Sequence, residues 1–122
     1  MNQLGTCVTR PWGNYKVIDV GENYQVKKLV VSPGGCLSLQ SHEHRSEQWV
    51  IVNGSAKVTK DTDVKILNSE ETINIPKKVK HRIENITDKD VVIIEVQLGD
   101  YLGEDDIIRY DDVYGRIDKK DI

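Results

Sequence analysis

The chain has 122 residues and a formal net charge of −3, with 30% charged and 38% hydrophobic residues. That size supports one domain around one core. The balance excludes a disordered chain, and no apolar run approaches the roughly 18–20 residues of a membrane helix. A nucleic-acid binder usually shows a basic excess, so that class is demoted.

The opening residues Met1-Asn2-Gln3-Leu4-Gly5 lack the charged and apolar regions of a secretory leader. The two cysteines, Cys7 and Cys36, have no metal-type spacing and are too few for a disulfide scaffold. Both are expected to be packing residues of a reduced, cytoplasmic protein. Residues 104–122 hold seven acids and four bases, whereas residues 1–103 hold 13 of each sign. The body is neutral and the tail acidic.

In chain order, Tyr15–Val20 reads as a strand and Gly21-Glu22-Asn23 as a turn. Tyr24–Val31 follows, stopped by Pro33-Gly34-Gly35. Leu37–His42 alternates, and Gln48–Val52 is apolar and bounded by Asn53-Gly54, a hairpin signal. Lys57–Lys60, Val64–Leu67, Thr72–Ile75 and His81–Asn85 are short runs, and Val91–Leu98 is the most hydrophobic. Strands of four to eight residues at this spacing predict an all-β sandwich or barrel. The barrel is assigned to residues 10–103 and a C-terminal arm to 104–122. That arm reads as too charged for a strand. A turn of helix there would put Asp105 and Arg109 on one face.

Strand alternation decides which side chains can meet. Ser38, Gln40 and His42 share a face, with His44 if the strand continues. Glu47, Trp49 and Ile51 share another, as do His81, Ile83 and Asn85. Imidazoles, a carboxylate and an amide oxygen suit a borderline divalent ion such as Zn, Mn, Fe, Co or Ni. Glu95 and Gln97 point the same way as Val91 and Ile93, so an acid faces the interior and needs a partner. Trp12 and Trp49 are expected to pack in the core or at its rim. Lys77-Lys78-x-Lys80-x-Arg82 is either a solvated face or a phosphate-binding lip.

Two segments resemble the cupin motifs. One runs Gly34, five residues, Gln40, one residue, His42, four residues, Glu47, six residues, Gly54. The other runs Pro76, one residue, Lys78, two residues, His81, three residues, Asn85. The cupin pattern has His at the place of Gln40 and Gly at that of Lys78. The resemblance is closer still to the type II mannose-6-phosphate isomerase domain. It is carried by Arg10-Pro11-Trp12-Gly13-x-Tyr15, by Gln40-x-His42-x-His44-Arg45-x-Glu47-x-Trp49, by Gly103-Glu104-Asp105-Asp106-Ile107-x-Arg109, and by Asp112-x-Tyr114-Gly115-Arg116. That family has His where this chain has Gln48, a residue expected to face away from Glu47.

The resemblance implies a double-stranded β-helix, the jelly-roll barrel, as a single domain. In relatives this domain is usually the C-terminal part of a bifunctional guanylyltransferase/isomerase. It implies one divalent metal, zinc foremost, on Gln40, His42, Glu47 and His81, because taking Gln40 and His42 as the first pair makes every motif spacing fit. It implies interconversion of mannose 6-phosphate and fructose 6-phosphate through a cis-enediol. His44, Glu95, Arg45 and Arg109 are the catalytic candidates. Arg45, Arg109, Arg116 and Lys27 are the substrate-binding ones, cations for a dianionic phosphate. The competing reading is a regulatory or accessory cupin that binds metal and sugar without turnover. A homodimer is expected, since an exposed edge needs cover. The arm is expected to fold over the barrel mouth and bring Arg109 to the substrate. A chain ending at Gly103 would then keep metal and lose sugar phosphate.

Overall fold

A computed structural model describes residues 3–115. These form eleven strands and no helix: β1 Cys7–Arg10, β2 Gly13–Gly21, β3 Tyr24–Val31, β4 Leu39–Ser41, β5 Arg45–Asn53, β6 Ala56–Lys60, β7 Asp63–Leu67, β8 Thr72–Ile75, β9 His81–Glu84, β10 Val91–Gly99 and β11 Ile108–Asp111. Two antiparallel sheets result. One has the order β1-β2-β3-β10-β5-β8 and the other β11-β4-β9-β6-β7. This is the expected all-β jelly roll.

Period-two burial explains the packing. Along β10, Val91, Ile93, Glu95 and Gln97 are buried, and the residues between them are more exposed. The same alternation runs through β3 and β5. The inner faces of the two sheets close over Trp12, Tyr15, Val17, Leu29, Trp49, Ile51, Val58, Ile83 and Ile93. Trp12 and Trp49 both belong to this core, 6% and 1% exposed. Cys36 is buried, Cys7 is exposed, and neither forms a disulfide.

The sheets reach past both expected limits of the barrel. β1 begins at Cys7, and β11 in the acidic arm joins the five-stranded sheet. Residues 108–111 of the arm form a strand after all, because charges there find partners. Arg82 Nη2 donates to the Asp111 carbonyl and carboxylate at 3.1 and 3.0 Å. Asp105 is engaged by the Tyr101 hydroxyl on the loop before it, so no helical turn pairs it with Arg109.

Asn53-Gly54 also departs from expectation. It links β5 to β6, which belong to different sheets, so it turns a corner and does not close a hairpin. Only Gly54 has positive φ (84°), whereas a type I′ hairpin turn needs it at both central residues. Gly13 opens β2 at φ 152°, and a Cβ there would collide with the Val30 carbonyl of β3. Lys78, where the cupin motif carries Gly, holds φ 69°, the backbone that Gly adopts without cost.

Gly13→Ala is therefore expected to lower unfolding free energy by about 1–3 kcal/mol through strain and overpacking. A shifted midpoint in urea at unchanged slope would show it.

Candidate functional site

The site lies where the interior changes from apolar to polar. In the register of β10 with β3, Val91 faces Val31 and Ile93 faces Leu29. Farther along, Glu95 faces Lys27 and Gln97 faces Gln25. On its other side β10 sets Ile93 by Ile51, Glu95 by Trp49 and Gln97 by Glu47. Half of the barrel is thus hydrocarbon. The other half carries buried Gln25, Lys27, Arg45, Glu47, Glu95 and Gln97.

His42, Glu47 and His81 bring one ligand atom each within 4.8 Å of one another, all three buried. His42 Nε2 lies 3.2 Å from Glu47 Oε2, and His81 Nε2 lies 3.8 Å from Glu47 Oε1. The other ring nitrogens meet carbonyls, which only accept. His42 Nδ1 is 2.6 Å from the Asp106 oxygen and His81 Nδ1 is 2.9 Å from that of Val79. Each Nδ1 therefore carries the proton, and both Nε2 lone pairs turn toward Glu47. Burial pulls the His42 imidazole down to about 4, against the attraction of Glu47. It is neutral at pH 7, the state a metal ligand needs.

Burial alone would raise the Glu47 carboxyl, but Arg45, then His42 and His81, hold it well below the usual carboxylate range. Arg45 Nε donates to Glu47 Oε2 at 2.9 Å, and Trp49 Nε1 donates to Oε1 at 2.9 Å. Glu95 goes the other way. Burial and the Glu47 charge push it up to about 8. Trp49 Nε1 at 3.2 Å and Gln97 Nε2 at 2.8 Å hold its two oxygens.

Two imidazole nitrogens and an anionic carboxylate fit a divalent transition metal by donor type. Gln40 pairs with His81 across β4 and β9 and lines the same cavity. Its amide nitrogen donates to Ser38 Oγ at 3.1 Å, so its carbonyl oxygen is the end left for the cluster.

His44 stands elsewhere. β4 ends at Ser41 and residues 42–44 bend, which ends the alternation that would have aligned His44 with His42. His42 turns in. His44 is exposed and stacks edge-on against Tyr101, centroids 5.8 Å apart. Arg45 is buried at the cluster, its Nη2 3.2 Å from His42 Nε2. Gln48 is exposed and donates to Asn74, as its outward position requires. Arg116 lies outside the described residues.

A cavity of about 630 Å³, counting its open mouth, adjoins the cluster. Four of its lining side chains are cations (Arg10, Lys27, Arg45, Arg109) and two are acids (Glu95, Glu104). Arg109 reaches it because β11 pairs with β4, setting Arg109 opposite Gln40. Lys77, Lys78 and Lys80 are exposed and do not line it.

Sequence reading missed Arg10, Glu104 and Asp106. Asp106 accepts from the Glu43 and His44 amides through its two carboxylate oxygens, at 2.9 and 3.0 Å, while its carbonyl orients His42. These partners lie more than 60 residues apart, so no local pattern could show them. The arm thus supports His42 itself, and a chain ending at Gly103 would lose that support.

The family model "Mannose-6-phosphate isomerase C-terminal" matches residues 1–112. The chain belongs to that family. It is 50% identical over 109 residues to the xanthan biosynthesis protein XanB of Xanthomonas campestris, covering 89% of this chain. It is 51% identical over 110 residues to the mannose-1-phosphate guanylyltransferase of Escherichia coli strain K12, covering 90%. The chain spans only 23% of the length of either relative. Among solved structures, CapF, a capsular polysaccharide assembling protein of Staphylococcus aureus, superposes with a TM-score of 0.72 at 20% identity, over 88% of this chain and 34% of that one. The cupin domain of Cnp3 from Schizosaccharomyces pombe gives 0.68 at 15% identity, over 71% and 64%. These likenesses establish the cupin fold.

His42→Ala and His81→Ala are each expected to abolish stoichiometric uptake of a divalent ion, measured by elemental analysis after dialysis, while His44→Ala retains it. Asp106→Ala is expected to weaken the ion about ten- to a hundredfold, the usual cost of losing support behind a ligand.

Proposed function

We propose that this domain is a metal-dependent aldose–ketose isomerase acting on mannose 6-phosphate and fructose 6-phosphate. The observation that carries this reading is the juxtaposition of the His42–Glu47–His81 cluster with a separately held carboxyl, Glu95, at a cation-lined cavity. Membership of the family supports the choice of substrate.

A divalent ion on His42, Glu47 and His81, with Gln40 beside them, would supply Lewis acidity toward the sugar oxygens. The reaction moves the C2 proton to C1 and the O2 proton to O1, so no oxidant is needed. Glu95 is the residue for the carbon-bound proton. It lines the cavity, and Trp49 and Gln97 fix it from behind. Only the ionised form of Glu95, the minor form near neutral pH because burial and Glu47 raise it, takes the C2 proton, and it then returns that proton to C1. Trp12, Leu29, Leu37 and Ile107 give the cavity an apolar wall that limits water at the reacting carbons. Lys27 and Arg109 offer charge to the phosphate.

One observation favours a binding-only domain. The Arg45 guanidinium already meets His42 Nε2 and Glu47, so the chain's own cation answers part of the cluster's charge. A coupled assay with mannose 6-phosphate, with and without added divalent ion, separates the readings. Glu95→Gln is expected to cut turnover by about 10²–10⁴ while ion uptake stays stoichiometric. Stoichiometric metal with no turnover in the unaltered chain would leave the binding-only reading.

A further inference from the structure

The mouth of the cavity holds an ion pair whose acid, Glu104, has no role in the isomerase reading. Lys27 rises from the inner face of β3 and is 3% exposed. Its Nζ sits 2.5 Å from Glu104 Oε1 and 4.1 Å above the centroid of the Tyr15 ring. Arg10, exposed on β1, approaches the same ring, its Cζ 5.8 Å from the centroid. All four side chains line the cavity.

The partners of this pair are unequal. The cation is planted in a central strand of a rigid sheet. The acid stands on the irregular segment between β10 and β11, and its side chain is 38% exposed. As a device for stability the pair is a poor choice, since an apolar side chain of similar length costs no desolvation. As an anion site it is well built. The Tyr15 ring holds the ammonium, a second cation lies beside the same ring, and the cavity opens to solvent beside them. Arg45 is committed to Glu47, so an incoming anion at the mouth meets Lys27 and Arg10.

We propose that Lys27 and Arg10, both beside the Tyr15 ring, form the subsite for the phosphoryl group of the substrate, and that Glu104 is its built-in placeholder. The Glu104 carboxylate keeps Lys27 neutralised until a phosphate takes its place. A phosphate monoester carries up to two charges and three acceptor oxygens against one charge and two, so it wins the exchange. Displaced Glu104 moves toward solvent, on the side where it is already exposed. The site therefore discriminates against unphosphorylated sugars, which bring nothing to dislodge the acid. This inference rests on the sugar-phosphate reading above for its substrate class.

Calorimetric titration of the full chain with inorganic phosphate, mannose 6-phosphate and free mannose tests it. Glu104→Gln keeps the shape and removes the competing charge. It is expected to tighten both phosphate ligands about tenfold and to leave mannose unchanged. Lys27→Met is expected to weaken both about ten- to a hundredfold. Phosphate binding that is unchanged or weaker in Glu104→Gln overturns the proposal, as does unchanged binding in a folded Lys27→Met protein. Should Lys27→Met not fold, Glu104→Gln decides alone, since it alters only a half-exposed side chain. No turnover enters the readout. A protein without isomerase activity that still tightens on Glu104→Gln sinks the catalytic reading and keeps the subsite.

Discussion

The buried Glu47 carboxylate is the constraint around which this interior is arranged. An isolated charge 1% exposed inside a barrel is far too costly to persist. It is tolerated because Arg45 Nε and Trp49 Nε1 both donate to it at 2.9 Å, with two imidazoles at its edge. Removing one partner of such a buried pair costs about 3–5 kcal/mol, because the other charge is stranded. The same charge sets the chemistry next door. Burial first, and this charge second, keep Glu95 from ionising at ordinary carboxylate pH. Two acids in one cavity thus take opposite protonation states.

Stability and chemistry are divided along the strands, not between strands and loops. β3, β5 and β10 each contribute hydrocarbon at one end of their inner face and polar groups at the other. The apolar half supplies the close-packed core that fixes strand positions. The polar half inherits that stiffness, so His81, Glu47 and Glu95 are held without a loop having to order itself around a ligand. Gln25, Gln97 and Glu95 extend the network by hydrogen bonds of 2.9 and 2.8 Å. Gln25 Oε1 remains buried with no hydrogen-bond partner among the described residues.

The C-terminal arm completes what the strands begin. Asp106 closes the bend at residues 43–44 and aims His42, β11 sets Arg109 opposite Gln40, and Glu104 reaches Lys27 at the mouth. The His42–Glu47–His81 cluster and the cavity mouth are therefore linked through one acidic segment. Its charge is largely directed onto backbone amides, Arg82 and Lys27.

Strand alternation alone determined much of this protein. Nine of the strands, the inward faces of Glu47, Trp49, His81, Ile83, Glu95 and Gln97, and the outward face of Gln48 follow from period-two spacing, a local property of the backbone. The family resemblance implied Gln40, His42, Glu47 and His81 as a set, and the fold gathers His42, Glu47 and His81. Tertiary structure decided the rest. His42 and His44 look equivalent in the sequence, and only the end of β4 and the caps from Asp106 turn one inward and the other out. Asn53-Gly54 has the local chemistry of a hairpin, yet the need to cover both sheet faces sends β6 into the other sheet. The arm's charges argue against a strand until Arg82 and the β4 edge are there to receive them. Arg10, Lys27, Glu104 and Asp106 meet partners far away in sequence, across contacts that exist only once the barrel has closed. Alternation is written residue by residue, whereas the pairing of distant charges is set by which strands become neighbours.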